Sequence, residues 1–356
     1  MTLPRCPAGN SHLAILASAS ILLTLSPFHQ VALGAGEPGG PILLASVFQP
    51  TDVAANPSHL FVIHHLCAAL GGIPVPGTGA CPGLTSLYCN SDHSESGILA
   101  IDGQGHEKTI AVIHDPFGCM QRDHIALSSG LGGFPAGYLY AVQGDWAGVR
   151  ITRMSPDGSY QTSIPNKIPP LGRDVHITFD GTGSFGHKMI ISGGSWIWEV
   201  GPDGEASPAS EVPERGGRGQ GVGAPAVAPY SFGPYGGDLI VPDPGTGSIY
   251  AISPNRTVTK IGAWPGASEI LFVPTTRCTF GSSGAFLLSS HASDTGGSVV
   301  RYPLSDFAGL AGSALVASQF HPSLVIIAVQ NGTLKFSQFR QEIDAQFLEG
   351  SSFATC

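Results

Sequence analysis

Charged residues are scarce in this sequence, since Asp, Glu, Lys and Arg make up only 12% of its 356 positions, against about 25% in an ordinary soluble domain. No basic cluster occurs and the formal net charge is -9, so nucleic acid is not expected as a partner. Long helical stretches are also missing, because 49 glycines and 29 prolines interrupt nearly every window. The apolar share of 42% still allows a packed core, which excludes disorder and predicts a large all-β protein with many turns.

Several motifs of common enzymes are absent as well. The sequence has no CxxC pair for zinc, no P-loop, and no GxGxxG after a strand of a βαβ unit. Ser195 lies outside any GxSxG motif, which is the pattern of serine hydrolases on α/β sheets. Cysteine-bound zinc, nucleotide chemistry and serine-hydrolase chemistry are therefore not expected.

The N-terminal residues 1–35 have the pattern of a secretory signal peptide. Arg5 supplies a weak positive charge, an apolar run extends from Leu13 to Leu25, and small residues follow at Ala32–Gly36. The apolar run is too short to span a bilayer. We therefore expect a cleaved leader, a secreted protein or one in the lumen of the secretory pathway, and no membrane partner after cleavage.

Cysteine usage and two sequons agree with that location. Cleavage would remove Cys6 and leave an even number of cysteines, which predicts up to three disulfides of unknown pairing. These cysteines are Cys67, Cys81, Cys89, Cys119, Cys278 and Cys356. Asn255 and Asn331 each begin an Asn-x-Thr sequon, so both are predicted glycosylation sites.

A repeat runs through the rest of the chain. Four segments place an acidic residue before an apolar strand, and they begin at Asp52, Asp123, Asp174 and Glu269. A fifth segment, at Gly223, fits the spacing but lacks the acid. Each is followed by further apolar strands and a polar turn, as in SIYAISPNR from Ser248. Four antiparallel strands recurring at roughly 45 to 70 residues predict a β-propeller, with a β-sandwich or two β domains as the alternative.

The predicted fold is a single all-β domain over residues 36–356, a six-bladed β-propeller with four-stranded antiparallel blades. Five blades are clear, and a divergent sixth lies near residues 314–348. We expect the strand from Ile42 to Phe48 to complete the last blade from the N-terminal side, which leaves no free sheet edge. Blade one carries an insertion at residues 66–96 with three cysteines, either a disulfide-stapled flap over the channel or a surface ornament.

The loops that enter the innermost strands of a propeller share one face, so the four repeated acids should converge near the axis. Such carboxylates could share protons, hold a hard cation, or cap their own blades. Asp174 and His176 are two residues apart on a strand and so point to one side. A carboxylate there can orient an imidazole as a general acid or base.

Candidate residues follow from this placement. The catalytic candidates are His64, Asp123, His124, Arg173, Asp174, His176, Glu269 and His291. The substrate-binding candidates are Asp52, His65, Arg122 and Trp146. No metal is expected in the first hypothesis; if calcium is bound instead, its ligands would be Asp123, Asp174 and Glu269.

The segment GSIYAISPNRTVTKIG from Gly247 resembles the blades of six-bladed propellers of the gluconolactonase, strictosidine-synthase and NHL type. Lactonases of that group hold a catalytic calcium at the channel, which the resemblance would place at Asp123, Asp174 and Glu269. The leader, the cysteine-bearing first blade and the His/Asp-lined channel also resemble secreted fungal propellers of natural-product clusters. Some of those are hetero-Diels–Alderases, which join a quinone methide to an alkene.

The first functional hypothesis is a secreted small-molecule enzyme of secondary metabolism. It would be a cyclase of the hetero-Diels–Alder type that orients two reactants in the channel and needs no cofactor. An Asp–His pair or an arginine would polarise an enone oxygen. The alternatives are a calcium-dependent lactonase or esterase, and a secreted binding propeller without catalytic activity.

Overall fold

The computed structural model describes residues 42–47, 50–66, 95–114, 123–144, 147–172, 174–213, 221–276, 278, 280, 284–293, 296–318, 323–341 and 347–354. In these residues almost all regular structure is β, with three short 3-10 turns and no α-helix. No helix in this described part has the length and apolar character needed to cross a bilayer. The predicted all-β class is confirmed.

The strands form six four-stranded antiparallel sheets, and the strands of each sheet are named from the innermost outward. Sheet 1 is β2 (Pro50–Ala55), β3 (His59–Leu66), β4 (Glu95–Asp102) and β5 (Glu107–His114). Sheet 2 is β6 (His124–Leu127), β7 (Leu139–Gly144), β8 (Val149–Met154) and β9 (Gln161–Ile164). Sheet 3 is β10 (Val175–Phe179), β11 (Met189–Gly193), β12 (Trp196–Val200) and β13 (Ala206–Glu211).

The remaining three sheets complete the arrangement. Sheet 4 is β14 (Ala226–Val227), β15 (Leu239–Asp243), β16 (Ser248–Ile252) and β17 (Val258–Ala263). Sheet 5 is β18 (Ala267–Phe272), β21 (Ala314–Ser318), β22 (Ser323–Gln330) and β23 (Thr333–Gln341). Sheet 6 is β24 (Phe347–Phe353), β19 (Gly284–Ser293), β20 (Gly296–Pro303) and β1 (Ile42–Ser46).

Short polar turns between the strands account for many of the few acidic residues. Asp180 is buried just after β10, and its carboxylate accepts hydrogen bonds from the backbone N–H groups of Thr182, Phe185 and His187. Asp243 accepts in the same way from the N–H of Gly245 at 3.0 Å. These Asp side chains satisfy turn donors that the sheet ladder cannot reach.

An apolar cluster fills each junction between neighbouring sheets. The cluster between sheets 1 and 2 includes Phe61 and Met154, and the one between sheets 6 and 1 includes Val299 and Val53. Four further clusters join the remaining pairs of neighbours. The innermost strands β2, β6, β10, β14, β18 and β24 touch one another in that order, and β24 touches β2. Four-stranded antiparallel blades in a propeller arrangement are therefore confirmed.

The strands of sheets 5 and 6 are interleaved along the chain, because β19 and β20 of sheet 6 lie between β18 and β21 of sheet 5. This order corrects the sequence-based assignment of the C-terminal half. The strand starting at Ala285 is not the partner of Glu269–Phe272, because Leu271 lies opposite Leu315 in β21. Strand β19 instead pairs with β20 and β24. The N-terminal strand β1 pairs with β20 rather than with the segment 314–348. Several apolar strands there have equivalent patterns, and a local pattern does not specify a distant partner.

Candidate functional site

Three neighbouring innermost strands bring four of the predicted side chains together near the axis. Asp52 lies in β2, His124 begins β6, Asp174 immediately precedes β10, and His176 is the second residue of β10. We call these four residues the axial His–Asp cluster. Asp52, His124 and His176 are buried, with relative exposures of 7%, 4% and 7%. The side chain of Asp174 is 23% exposed, so it is the most accessible member of the cluster.

His124 is held between two carboxylates. Its Nδ1 lies 3.3 Å from Asp52 Oδ2 and its Nε2 lies 3.3 Å from Asp174 Oδ1. His176 Nε2 is 3.4 Å from the same Asp174 oxygen. The two imidazole rings pack with centroids 3.9 Å apart at an interplanar angle of 50°. Asp174 thus links both histidines, and the two-residue spacing predicts its contact with His176.

The backbone fixes Asp52 in position. Its Oδ1 accepts a hydrogen bond from its neighbour Val53 N at 2.7 Å, and its Oδ2 accepts one from Ile125 N at 2.9 Å. A side chain at Gly350 would place its Cβ too close to Asp52 Oδ1. Gly350 therefore leaves the space that the carboxylate occupies. Asp52 caps a neighbouring strand and contacts His124 with the same carboxylate.

The charge of His124 is set by its surroundings. Burial alone would lower the pKa of the imidazole, but the hydrogen bonds and negative charges of Asp174 and Asp52 outweigh it and raise the pKa to about 10. His124 is therefore a cation at neutral pH, flanked by two carboxylates. A group of this kind can polarise an oxygen atom on a bound molecule.

Asp123 has a different role from the one that its place in the repeat predicts. Its carboxylate is fully buried and accepts hydrogen bonds from the Ser96 hydroxyl and from Gln143 Nε2 at 3.1 Å. Its carbonyl oxygen accepts a bond from Thr51 Oγ1 at 2.8 Å. These partners tie together sheets 1 and 2. Adjacent residues of a strand point in opposite directions, so His124, and not Asp123, joins the cluster.

Glu269 lies in β18 and is half-buried. Its Oε1 accepts a hydrogen bond from Ser351 N at 3.1 Å and its Oε2 accepts one from Ser351 Oγ at 2.7 Å. Burial, reinforced by the charge of Asp52, raises the pKa of Glu269 to about 8, although the Ser351 bonds and His124 act in the opposite direction. Ser351 had no sequence signal that would identify it, because it is 82 residues away from Glu269.

The raised pKa of Glu269 predicts a pH-dependent stability. In the folded chain the Glu269 carboxyl stays protonated up to about pH 8, whereas the carboxyl of an unfolded glutamate is ionised above about pH 4.3. The folded state therefore binds more protons in this window, and the free energy of unfolding should fall as pH rises from 5 to 8. Urea unfolding should show a smaller fall for Glu269→Gln than for the wild type. Glu211→Gln, which replaces an exposed carboxyl, is the control and should show the same fall in the free energy of unfolding as the wild type. If Glu269→Gln also showed the wild-type fall, the pH dependence would not come from Glu269.

The other predicted site residues are placed as follows. His64 is buried in β3, opposite Pro50. His65 follows it in β3, and His291 lies in β19 opposite Gly297. Arg122, Arg173 and Trp146 lie outside the described residues, as do the leader and most of the insertion at 66–96.

The predicted modification sites are described only in part. Cys278 is buried and disulfide-bonded, while Cys67, Cys81, Cys89, Cys119 and Cys356 lie outside the described residues. Asn255 is exposed in the turn between β16 and β17, and Asn331 is exposed in the turn between β22 and β23. Both sequons therefore occupy the turn that joins the third and fourth strands of a sheet.

Comparisons with known proteins find similarities at low sequence identity. A nidogen/laminin complex is 10% identical with a TM-score of 0.48, and the match covers 86% of this chain and 85% of that chain. A putative gluconolactonase is 12% identical with a TM-score of 0.46, covering 89% and 85%. A streptogramin B lyase is 13% identical with a TM-score of 0.43, covering 85% and 86%. No protein-family model and no curated protein matches the chain, so the site is interpreted from its own geometry.

Proposed function

We propose that this protein is an enzyme that acts on a small organic molecule at the axial His–Asp cluster, where it polarises one oxygen atom of the substrate. The observation that carries the proposal is the convergence of His124, Asp174 and His176 from two neighbouring innermost strands. Asp174 remains 23% exposed, so a bound molecule can reach the cluster from solvent.

A purely structural role accounts poorly for this arrangement. Buried ion pairs add little net stability, and apolar residues of similar size often serve as well or better. The six inter-sheet junctions of the described residues are already filled by apolar clusters. A linked group of ionisable side chains at the axis, in a chain with only 12% charged residues, therefore favours chemistry.

The reaction that we favour is a cyclisation of the hetero-Diels–Alder type between an enone or quinone methide and an alkene. Polarising the enone oxygen lowers the energy of its acceptor orbital, and the channel would hold both reactants in one orientation. Both new bonds form between the two reactants, so the protein needs to supply no atom. The polarising centre would be His124 with Asp174 and His176.

Lactone hydrolysis is the second candidate. The Asp174–His176 contact of 3.4 Å is a carboxylate–imidazole pair of the kind that can activate water, while His124 would polarise the lactone carbonyl. Calcium bound by Asp123, Asp174 and Glu269 is not the centre that we propose for this activity. The Asp123 carboxylate is taken up by Ser96 and Gln143.

The setting that we propose is the secretory pathway or the outside of the cell, with all six sheets acting as blades of one closed propeller. The exposed turn positions of Asn255 and Asn331 leave room for glycans. The buried disulfide-bonded Cys278 fits an oxidising compartment. The ring of contacts from β2 through β24 and back to β2 supports the blade number.

Turnover on a substrate panel tests the proposal. The purified protein would be incubated with quinone-methide precursors plus a terpene alkene, and separately with aliphatic and aromatic lactones, and products followed by mass spectrometry. We expect turnover of one class by the wild type and its loss in His176→Asn. Binding of panel members without any turnover would overturn the proposal in favour of a binding propeller.

A further inference from the structure

We propose that His124 Nε2, Asp174 Oδ1 and His176 Nε2 form the binding site of one divalent transition-metal ion of the zinc class. This inference rests on the proposed function, because it names the electrophile of the same centre. In the described part of the chain, these residues form a group whose three ligand atoms all lie within 4.8 Å of one another. The only metal that the sequence suggests here is calcium at Asp123, Asp174 and Glu269, whereas the geometry brings together a different set of donor atoms.

The distances within the cluster are compatible with a metal site. Asp174 Oδ1 lies 3.3 Å from His124 Nε2 and 3.4 Å from His176 Nε2. A tetrahedral ion with bonds of about 2.0–2.1 Å separates its ligand atoms by about 3.3–3.4 Å. Both observed separations therefore match the edges of a tetrahedral coordination shell.

The surroundings of His124 supply the usual support for a metal-ligating imidazole. Such histidines nearly always donate the N–H of their second ring nitrogen to a carboxylate, which fixes the tautomer and the ring orientation. Asp52 Oδ2 lies 3.3 Å from His124 Nδ1, and Asp52 is itself anchored by Val53 N and Ile125 N. His124 Nε2 is thereby directed towards Asp174 and His176.

The donor set indicates which ion fits. Two imidazole nitrogens and one carboxylate oxygen suit zinc and its neighbours, and three protein ligands leave a position for water or substrate. Calcium prefers six to eight oxygen ligands, which this set does not offer. A divalent ion would also balance the negative charges of Asp52 and Asp174, which flank His124.

The ion would act as a Lewis acid on the oxygen of a bound enone or lactone. It would replace the imidazolium proton of His124 as the polarising group, because a ligating imidazole is neutral. Asp52 would then be a positioning residue, which acts on the ion through His124. Glu269 lies beyond Asp52 and does not contact the ion in this arrangement.

Metal binding can be measured without knowing the substrate. Protein treated with a chelator and then dialysed would be titrated with Zn²⁺ by calorimetry and with Co²⁺ by visible absorption. We expect one equivalent of Zn²⁺ and the intense visible bands of a four-coordinate Co²⁺ site. His176→Asn and Asp174→Asn should each lower the affinity at least tenfold, and Asp52→Asn should lower it about 10- to 100-fold. His106→Asn is the matched control, since His106 also contacts a carboxylate, Asp102 at 2.8 Å, but is 81% exposed.

The outcomes separate the metal site from the proposed function. Absence of stoichiometric binding, or binding that His176→Asn leaves unchanged in a folded protein, would overturn the metal site. Turnover by metal-free protein would overturn the role of the ion as the electrophile and leave the proposed function standing, with the imidazolium as the electrophile. Stoichiometric binding without turnover of any panel member would support the metal site and count against the proposed function. Circular dichroism checks the fold of each variant, and the milder His176→Gln replaces any variant that does not fold.

Discussion

Replacing His124 by asparagine is expected to lower kcat/KM by about 100- to 1,000-fold, the range found when a positioned acid, base or electrophile is lost. His124 contacts both carboxylates of the axial His–Asp cluster, at 3.3 Å each, and packs against His176. Asparagine keeps a polar group at this position but can neither carry the charge nor bridge Asp52 and Asp174. The measurement is steady-state turnover of whichever panel class the wild type accepts.

The control for this variant is His106→Asn, which removes an exposed histidine from a turn and should leave kcat/KM unchanged. Loss of the His124 cation also brings uncompensated carboxylates together, which lowers stability. His176→Asn keeps His124 and should still reduce turnover in a folded protein. Full activity in both His124→Asn and His176→Asn would contradict the site.

The sequence predicts the parts of the site that depend on local spacing. The two-residue interval between Asp174 and His176 predicts a shared side, and Asp174 Oδ1 does lie 3.4 Å from His176 Nε2. The acids at the starts of innermost strands likewise identify the correct end of the sheets. What the repeat cannot distinguish is the direction of each side chain, and Asp123 therefore points into the junction of sheets 1 and 2 instead.

Contacts between distant parts of the chain are beyond such reasoning. Asp52 and His124 are 72 residues apart, and Glu269 and Ser351 are 82 residues apart. These contacts exist only after the ring of sheets has closed. The raised pKa values of His124 and Glu269 depend on the burial and neighbouring charges that closure creates. The interleaved strand order of sheets 5 and 6 could not be predicted for a similar reason, since the sequence pattern of each strand fits several partners.

Removing residues 347–356 is expected to prevent stable folding, because this segment contains β24, the innermost strand of sheet 6. Strand β24 pairs with β19 and packs against β2 and β18, so its loss opens the ring and leaves an unpaired edge. Leu348 and Phe353 are buried in the cluster between sheets 5 and 6. Losing two such side chains costs about 5–10 kcal/mol, which is comparable to the whole free energy of unfolding of a typical domain, about 5–15 kcal/mol.

A point variant tests the packing of β24 in a chain of full length, and so distinguishes the effect of this packing on stability from the effect of shortening the chain. Phe353 packs edge-to-face on Phe307 with ring centroids 5.1 Å apart, so Phe353→Ala should lower the free energy of unfolding by about 3–5 kcal/mol in urea titrations followed by circular dichroism. Ser352→Ala on the same strand is the control, because the Ser352 hydroxyl donates a hydrogen bond to the neighbouring carbonyl of Phe353 at 3.1 Å and contributes little apolar packing. A truncated chain that unfolds at the wild-type urea concentration would show that β24 does not close the ring. In that case Asp52 and Glu269 would also have to keep their positions without Gly350 and Ser351, which lie against them.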